Sequence, residues 1–158
     1  MDVSMDQIAQ EHPTVYDPSG NGDIEATVKQ FQGVLRTNKR DLEKRMGARL
    51  PTEHPLFSWL VEYCAFIINV RVIGKDGITA FARVRRKNFA KRLIPFGEYV
   101  LIHLPRMSPE RQQQGPLEPR AVEGLVLGYG RQSHSYLVYV EGDFKYVRSV
   151  SRLPLSKR

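Results

Sequence analysis

From Ile24 to Met46 the chain carries one apolar stripe: Ile24, Val28, Phe31, Leu35, Leu42 and Met46 follow one another at offsets of 4, 3, 4, 7 and 4. An α-helix returns a side chain to the same face at such intervals and a strand does not, so the stripe predicts one long helix. Asn21 or Gly22 can cap its start, and Asp23 and Glu25 suit the positive end of its dipole. Gly47 and Pro51 stop it. A second helix is expected from Pro55 to about Val70, with proline accepted in its first turn. It is apolar on most sides (Leu56, Phe57, Trp59, Leu60, Val61, Tyr63, Phe66, Ile67, Ile68), which predicts burial between other elements. Gly74-Lys75-Asp76-Gly77 reads as a turn, and Thr79 as the cap of a short third helix from Ala80 to Arg86.

The pattern changes near Leu93. Short β-rich runs follow at Tyr99 to Leu104, Val122 to Tyr129, Ser135 to Glu141 and Phe144 to Val150, with Gly142-Asp143 as a tight hairpin turn. Residues 105–121 hold four prolines and a Gln112-Gln113-Gln114 tract, a loop or linker composition. The expected fold class is α+β: a helical unit over 1–92, then a small all-β barrel over 93–158 with the Pro/Gln-rich loop inside it. Residues 1 to 22 read as an extended lead-in ending in the turn formers Tyr16 to Gly22.

Charge narrows the partners. Residues 1 to 25 hold six acids and no lysine or arginine, leaving a body with 24 bases against 11 acids. Such a body attracts polyanions, chiefly nucleic acid or an acidic membrane surface. No stretch approaches the roughly 20 apolar residues of a membrane span, and the acidic N-terminus lacks the order of a secretory signal. The single cysteine, Cys64, excludes an intrachain disulfide and a zinc site of paired cysteines. His12, His54, His103 and His134 lack ligand spacing. A soluble intracellular chain, in nucleus or cytoplasm and without a membrane partner, is the expectation.

The first helix carries the constellation with chemistry in it. Glu25, Lys29, Gln32 and Arg36 are spaced 4, 3 and 4 apart and share a face, which Lys39 and Arg40 extend. A carboxylate heading a row of cations suits metal-dependent phosphoryl transfer beside a nucleic-acid backbone. It also suits plain helix-start chemistry, since Glu25 and Lys29 form an i,i+4 pair worth only ~0.2–0.5 kcal/mol. A second basic run, Arg83, Arg85, Arg86, Lys87, Lys91 and Arg92, contains no acid and reads as a solvated surface or a phosphate track. Further on, Tyr129, Arg131, Tyr136, Tyr139, Lys145, Tyr146, Arg148 and Arg152 interleave aromatics with cations. The tyrosines there are expected in the core and the arginines outward, touching phosphate. Trp59 is expected in the core, and Cys64 inert on the same buried helix.

The run Asp17-Pro18-Ser19-Gly20-Asn21-Gly22-Asp23-Ile24-Glu25, followed by Leu35-Arg36-Thr37, resembles the closing acidic motif of retroviral and retrotransposon integrases. The resemblance continues through His54-Pro55, Trp59 to Tyr63, Asp76 to Ala80, Phe96 to Val100 and Glu123 to Tyr129. Each motif is short, and their order and spacing carry the likeness. It implies the helical C-terminal part of a ribonuclease-H-like α/β core followed by a DNA-binding β-barrel. Glu25 would then be the catalytic, metal-binding third carboxylate of an Asp, Asp, Glu site, with Lys29, Gln32, Arg36, Lys39 and Arg40 on the DNA side. Arg85, Arg86 and Lys87 would contact phosphate near the junction. The complete enzyme would use Mg²⁺ or Mn²⁺, act on element ends and target DNA, and work as a homo-oligomer.

Two departures qualify that implication. The family's two catalytic aspartates belong upstream of the glutamate, where only 24 residues stand here, and neither Asp2 nor Asp6 is assigned the role. The zinc-binding N-terminal module is absent from this sequence. The expectation is therefore a polynucleotidyl-transferase fragment, inactive and metal-free when alone. The alternative is a noncatalytic DNA- or chromatin-binding module, and a third reading is a protein-interaction domain whose basic surface binds acidic partners.

Overall fold

A computed structural model describes residues 22–103, 115, 121–130 and 135–154. The acidic lead-in with Asp2 and Asp6, nearly all of the Pro/Gln-rich loop, Arg131, His12 and His134 lie outside the described residues. Helix α1 runs Gly22–Met46, with Asp23 and Glu25 in its first turn and Lys44 and Arg45 in its last, charges that oppose the dipole at each end. Gly47, at φ +66, takes the left-handed conformation that ends it. Helix α2 runs Pro55–Arg71, its first turn capped by His54, whose ring accepts from the Leu56 N–H at 3.2 Å. Beyond its end, Lys75 comes within 3.8 Å of Asp23, so α1 and α2 form an antiparallel hairpin.

The apolar stripe of α1 is buried along only part of its length. Leu42 is buried and Phe31, Val34 and Leu35 pack on the core, but Ile24 is 64% and Val28 48% exposed. At 25 residues against 17, α1 outreaches its partner helix, and its first turns stand past α2's end. The short α3, Ala80–Arg85, is capped by Thr79, whose hydroxyl accepts from the Ala82 N–H at 3.1 Å. The turn before it is held by Arg83, which donates twice to Asp76, at 3.0 and 2.7 Å. The same guanidinium keeps the Asp76 carboxyl below its ordinary range.

Five strands follow among the described residues: β1 Tyr99–His103, β2 Ala121–Tyr129, β3 Tyr136–Val140, β4 Asp143–Val147 and β5 Val150–Arg152. Every pairing is antiparallel, in the order β4-β3-β2-β1-β5. The expected barrel is not closed: β4 and β5 are opposite edges of the sheet. Closure needs edge strands long enough to pair on both sides, and β5 has three residues, all matched to β1. The β3–β4 hairpin also differs from expectation. Val140 pairs with Asp143, so the loop residues are Glu141 and Gly142, at φ 50 and 92. Positive φ at both is what a two-residue turn needs to match strand twist.

One buried cluster joins the two long helices to the sheet: Leu42 of α1, Leu60, Tyr63 and Cys64 of α2, Ile94 and Phe96, and Val100, Val126 and Val138 of the sheet. The segment before β1 is fastened by phenols on both sides. Tyr63 donates to the Ile94 carbonyl at 2.9 Å, the Ile94 N–H donates to Tyr129 Oη at 2.7 Å, and Tyr136 donates to the Arg92 carbonyl at 3.2 Å. Burial pushes the Tyr129 phenol up to about 12, and Tyr63 is raised for the same reason. At Gly124 the sheet is packed without room for a side chain, since an added Cβ would meet Ile102 and Val140.

Glu98, 3% exposed, receives both Nε and Nη2 of Arg152, tying the edge strand β5 to the start of β1. Arg152 therefore does not face outward to phosphate. Removing one partner of a buried pair strands the other charge, so Glu98→Ala is expected to cost about 3–5 kcal/mol. Urea unfolding measures it, and a loss below about 1 kcal/mol would show the pair to be dispensable.

Candidate nucleic-acid interface

Glu25, Lys29, Gln32 and Arg36 are all exposed on α1. The Glu25 carboxylate lies 3.9 Å from the Lys29 ammonium, with both side chains largely in solvent at 65% and 77% exposure. Arg36 donates from Nε to the Gln32 carbonyl at 3.2 Å, which lays the guanidinium along the helix. Lys39 has a different position. It is half-buried and bonded to Glu43, which also accepts the Leu50 N–H at 2.8 Å. Those bonds, the lysine's first, hold the Glu43 carboxyl below its usual value. Glu43 thus fastens the end of α1 to the loop beyond it, and Lys39 is engaged by that carboxylate. Arg40 is exposed.

The second basic run divides in the same way. Arg83 is engaged by Asp76, and Lys91 sits over the Tyr136 ring at 4.5 Å while donating to the Arg148 carbonyl at 2.6 Å. Partial burial lowers the Lys91 pKa. Arg85, Arg86 and Lys87 are exposed where α3 ends, with Arg86 in the left-handed conformation at φ 54. Arg86 and Lys87 have no ion pair among the described residues.

The donor set around Glu25 does not fit a metal ion by itself. It is a single solvent-facing carboxylate already beside an ammonium, and among the described residues no three His, Cys, Asp or Glu side chains converge. A two-metal site needs several carboxylates to bridge and anchor its ions. His54 is occupied as a helix cap, and His103 shares a hydrogen bond with Ser151 at 2.9 Å.

Cys64 is fully buried, and desolvation pushes its thiol up to about 11. Thiolate is the reactive form, so the native protein is expected to resist a thiol reagent at mildly alkaline pH and to react once unfolded. Rapid native labelling at the rate of the unfolded chain would contradict that burial.

A feature absent from the sequence reading is a cavity of about 440 Å³ between α2, α3 and the β2–β4 side of the sheet. Trp59 and Phe66 of α2, Phe81 of α3 and Tyr146 of β4 line it. Its residues come from five separate elements, α2, α3, β2, β3 and β4, so no local pattern announced it. Tyr139 and Tyr146, expected in the core, are 40% and 65% exposed. Trp59 is half-buried and stacks on Phe144, with centroids 5.3 Å apart. No helix among the described residues is long and apolar enough to cross a membrane. No family model matches the chain, no curated protein is detectably similar to it, and no solved structure matches it.

Proposed function

We propose that the chain is the C-terminal part of a retroelement integrase: the last helices of a ribonuclease-H-like core joined to a small β domain that binds DNA. The observation that carries this reading is the exposed face of α1, where Glu25, Lys29, Gln32, Arg36 and Arg40 stand in solvent ahead of the Arg85–Lys87 cluster. Solvent-exposed cations can follow phosphates of any sequence, so the predicted contact is with the backbone and largely sequence-independent. In this reading Glu25 is one carboxylate of a site whose other acids come from elsewhere, and the fragment alone performs no strand transfer.

The Glu25–Lys29 ion pair favours a second reading, a noncatalytic DNA- or chromatin-binding module using the same surface. Purified chain, a labelled duplex and Mg²⁺ or Mn²⁺ separate the two from a complete enzyme. Strand transfer abolished by Glu25→Gln would overturn the view that the site is incomplete. Affinity for a short duplex at two salt concentrations tests the binding itself, and no binding at low salt overturns both readings.

A further inference from the structure

The groove beneath α2 and α3 has the chemistry of a stacking site. Its walls are aromatic: Trp59, Phe66, Phe81 and Tyr146, over a floor of Leu127 and Leu137. Its volume, about 440 Å³, lies within the range of small-ligand sites. Three charged or amide side chains also line it, and they are of three kinds. Asn69 offers both a donor and an acceptor, Glu62 an acceptor, and Arg85 a forked donor suited to phosphate. Arg86 and Lys87 follow directly in the chain, so positive charge gathers beside an apolar cleft.

The aromatic surface continues beyond the groove. Trp59 stacks on Phe144 at 5.3 Å, and Phe144 meets Tyr139 at the same spacing. Phe144 and Tyr139 are 48% and 40% exposed. Sheet pairing places Phe144, Tyr139, Leu125 and Tyr99 in one row across β4, β3, β2 and β1. Aromatic faces in series beside cations suit a polyanion whose bases are unstacked from one another. A duplex hides its base faces, so it cannot fill the groove.

We propose that the groove between α2, α3 and the sheet takes an unpaired nucleobase of single-stranded nucleic acid, with Arg85 at the adjoining phosphate. This rests on the nucleic-acid reading above and adds which part of the polymer is held.

The test uses the full chain and the fluorescence of Trp59, its single tryptophan. A short oligodeoxyadenylate is compared with an abasic oligomer of equal length and charge. The adenylate is expected to bind at least about tenfold more tightly and to quench Trp59. Tyr146, 65% exposed on an edge strand, can be truncated without opening the core, and Tyr146→Ala is expected to remove most of that tenfold ratio. Equal affinity for the two oligomers would overturn the base site while leaving backbone binding intact. If neither oligomer nor duplex binds, the nucleic-acid reading fails with it. An apolar peptide that quenches Trp59 where adenylate does not would assign the groove to a protein partner and sink the proposal.

Discussion

Replacing Phe96 with alanine is expected to lower the unfolding free energy by about 3–5 kcal/mol. Phe96 is 1% exposed and meets Tyr63 of α2 edge-on at 5.6 Å. Its carbonyl accepts from Arg45 of α1, and Gly97, next in the chain, donates to the Val126 carbonyl of β2 at 2.7 Å. The residue therefore stands where both helices and the sheet meet. Truncation removes ring contacts on several elements at once, and the rigid surroundings collapse only partly into the space. Because the cluster is continuous, helical circular dichroism and amide exchange in the strands should report one shared loss. Two separate midpoints, with the strands unaffected, would show that helices and sheet hold independent cores.

Affinity for duplex DNA should fall on the order of a hundredfold between about 50 and about 200 mM salt, the response expected of roughly four neutralised phosphates. Lys29, Arg36, Arg40, Arg85, Arg86 and Lys87 are among the exposed cations that such contacts can use. Each phosphate contact contributes about one unit to the salt slope, so Arg86→Gln combined with Lys87→Gln should reduce the slope by about two. Lys39→Gln is expected to act differently. That ammonium is bonded to Glu43, so its loss should lower stability more than it lowers the salt slope. A flat salt response would remove the electrostatic basis of the proposed function.

Helix positions were legible because they are written locally. The α1 periodicity, the Pro55 start and the Thr79 cap each involve neighbours within a turn, and the structure places helices at Gly22–Met46, Pro55–Arg71 and Ala80–Arg85. The first three strand runs were legible for the same reason, but the fourth, Phe144 to Val150, is split: β4 ends at Val147, and Val150 belongs to β5, which pairs with β1. The hairpin was missed by one position because its register depends on which residues pair, and Val140 pairs with Asp143. Glu25 and its neighbours were legible as a face, since helix geometry alone puts them together. Whether that face holds anything besides solvent depends on what stands opposite, which lies outside the helix.

By itself, then, the sequence determined three helices, a set of short strands, the charge asymmetry and the shared face of Glu25 to Arg36. Tertiary structure alone decided the rest. It left Ile24 and Val28 in solvent because α2 is shorter than α1, and it left the sheet open because β5 pairs on one side. It drew Arg152 into an ion pair with the buried Glu98, 54 residues away, that its residue type did not announce. The groove of Trp59, Phe81 and Tyr146 belongs to the same class. Its walls are far apart in the chain, and only packing of α2 and α3 against the sheet brings them into one site.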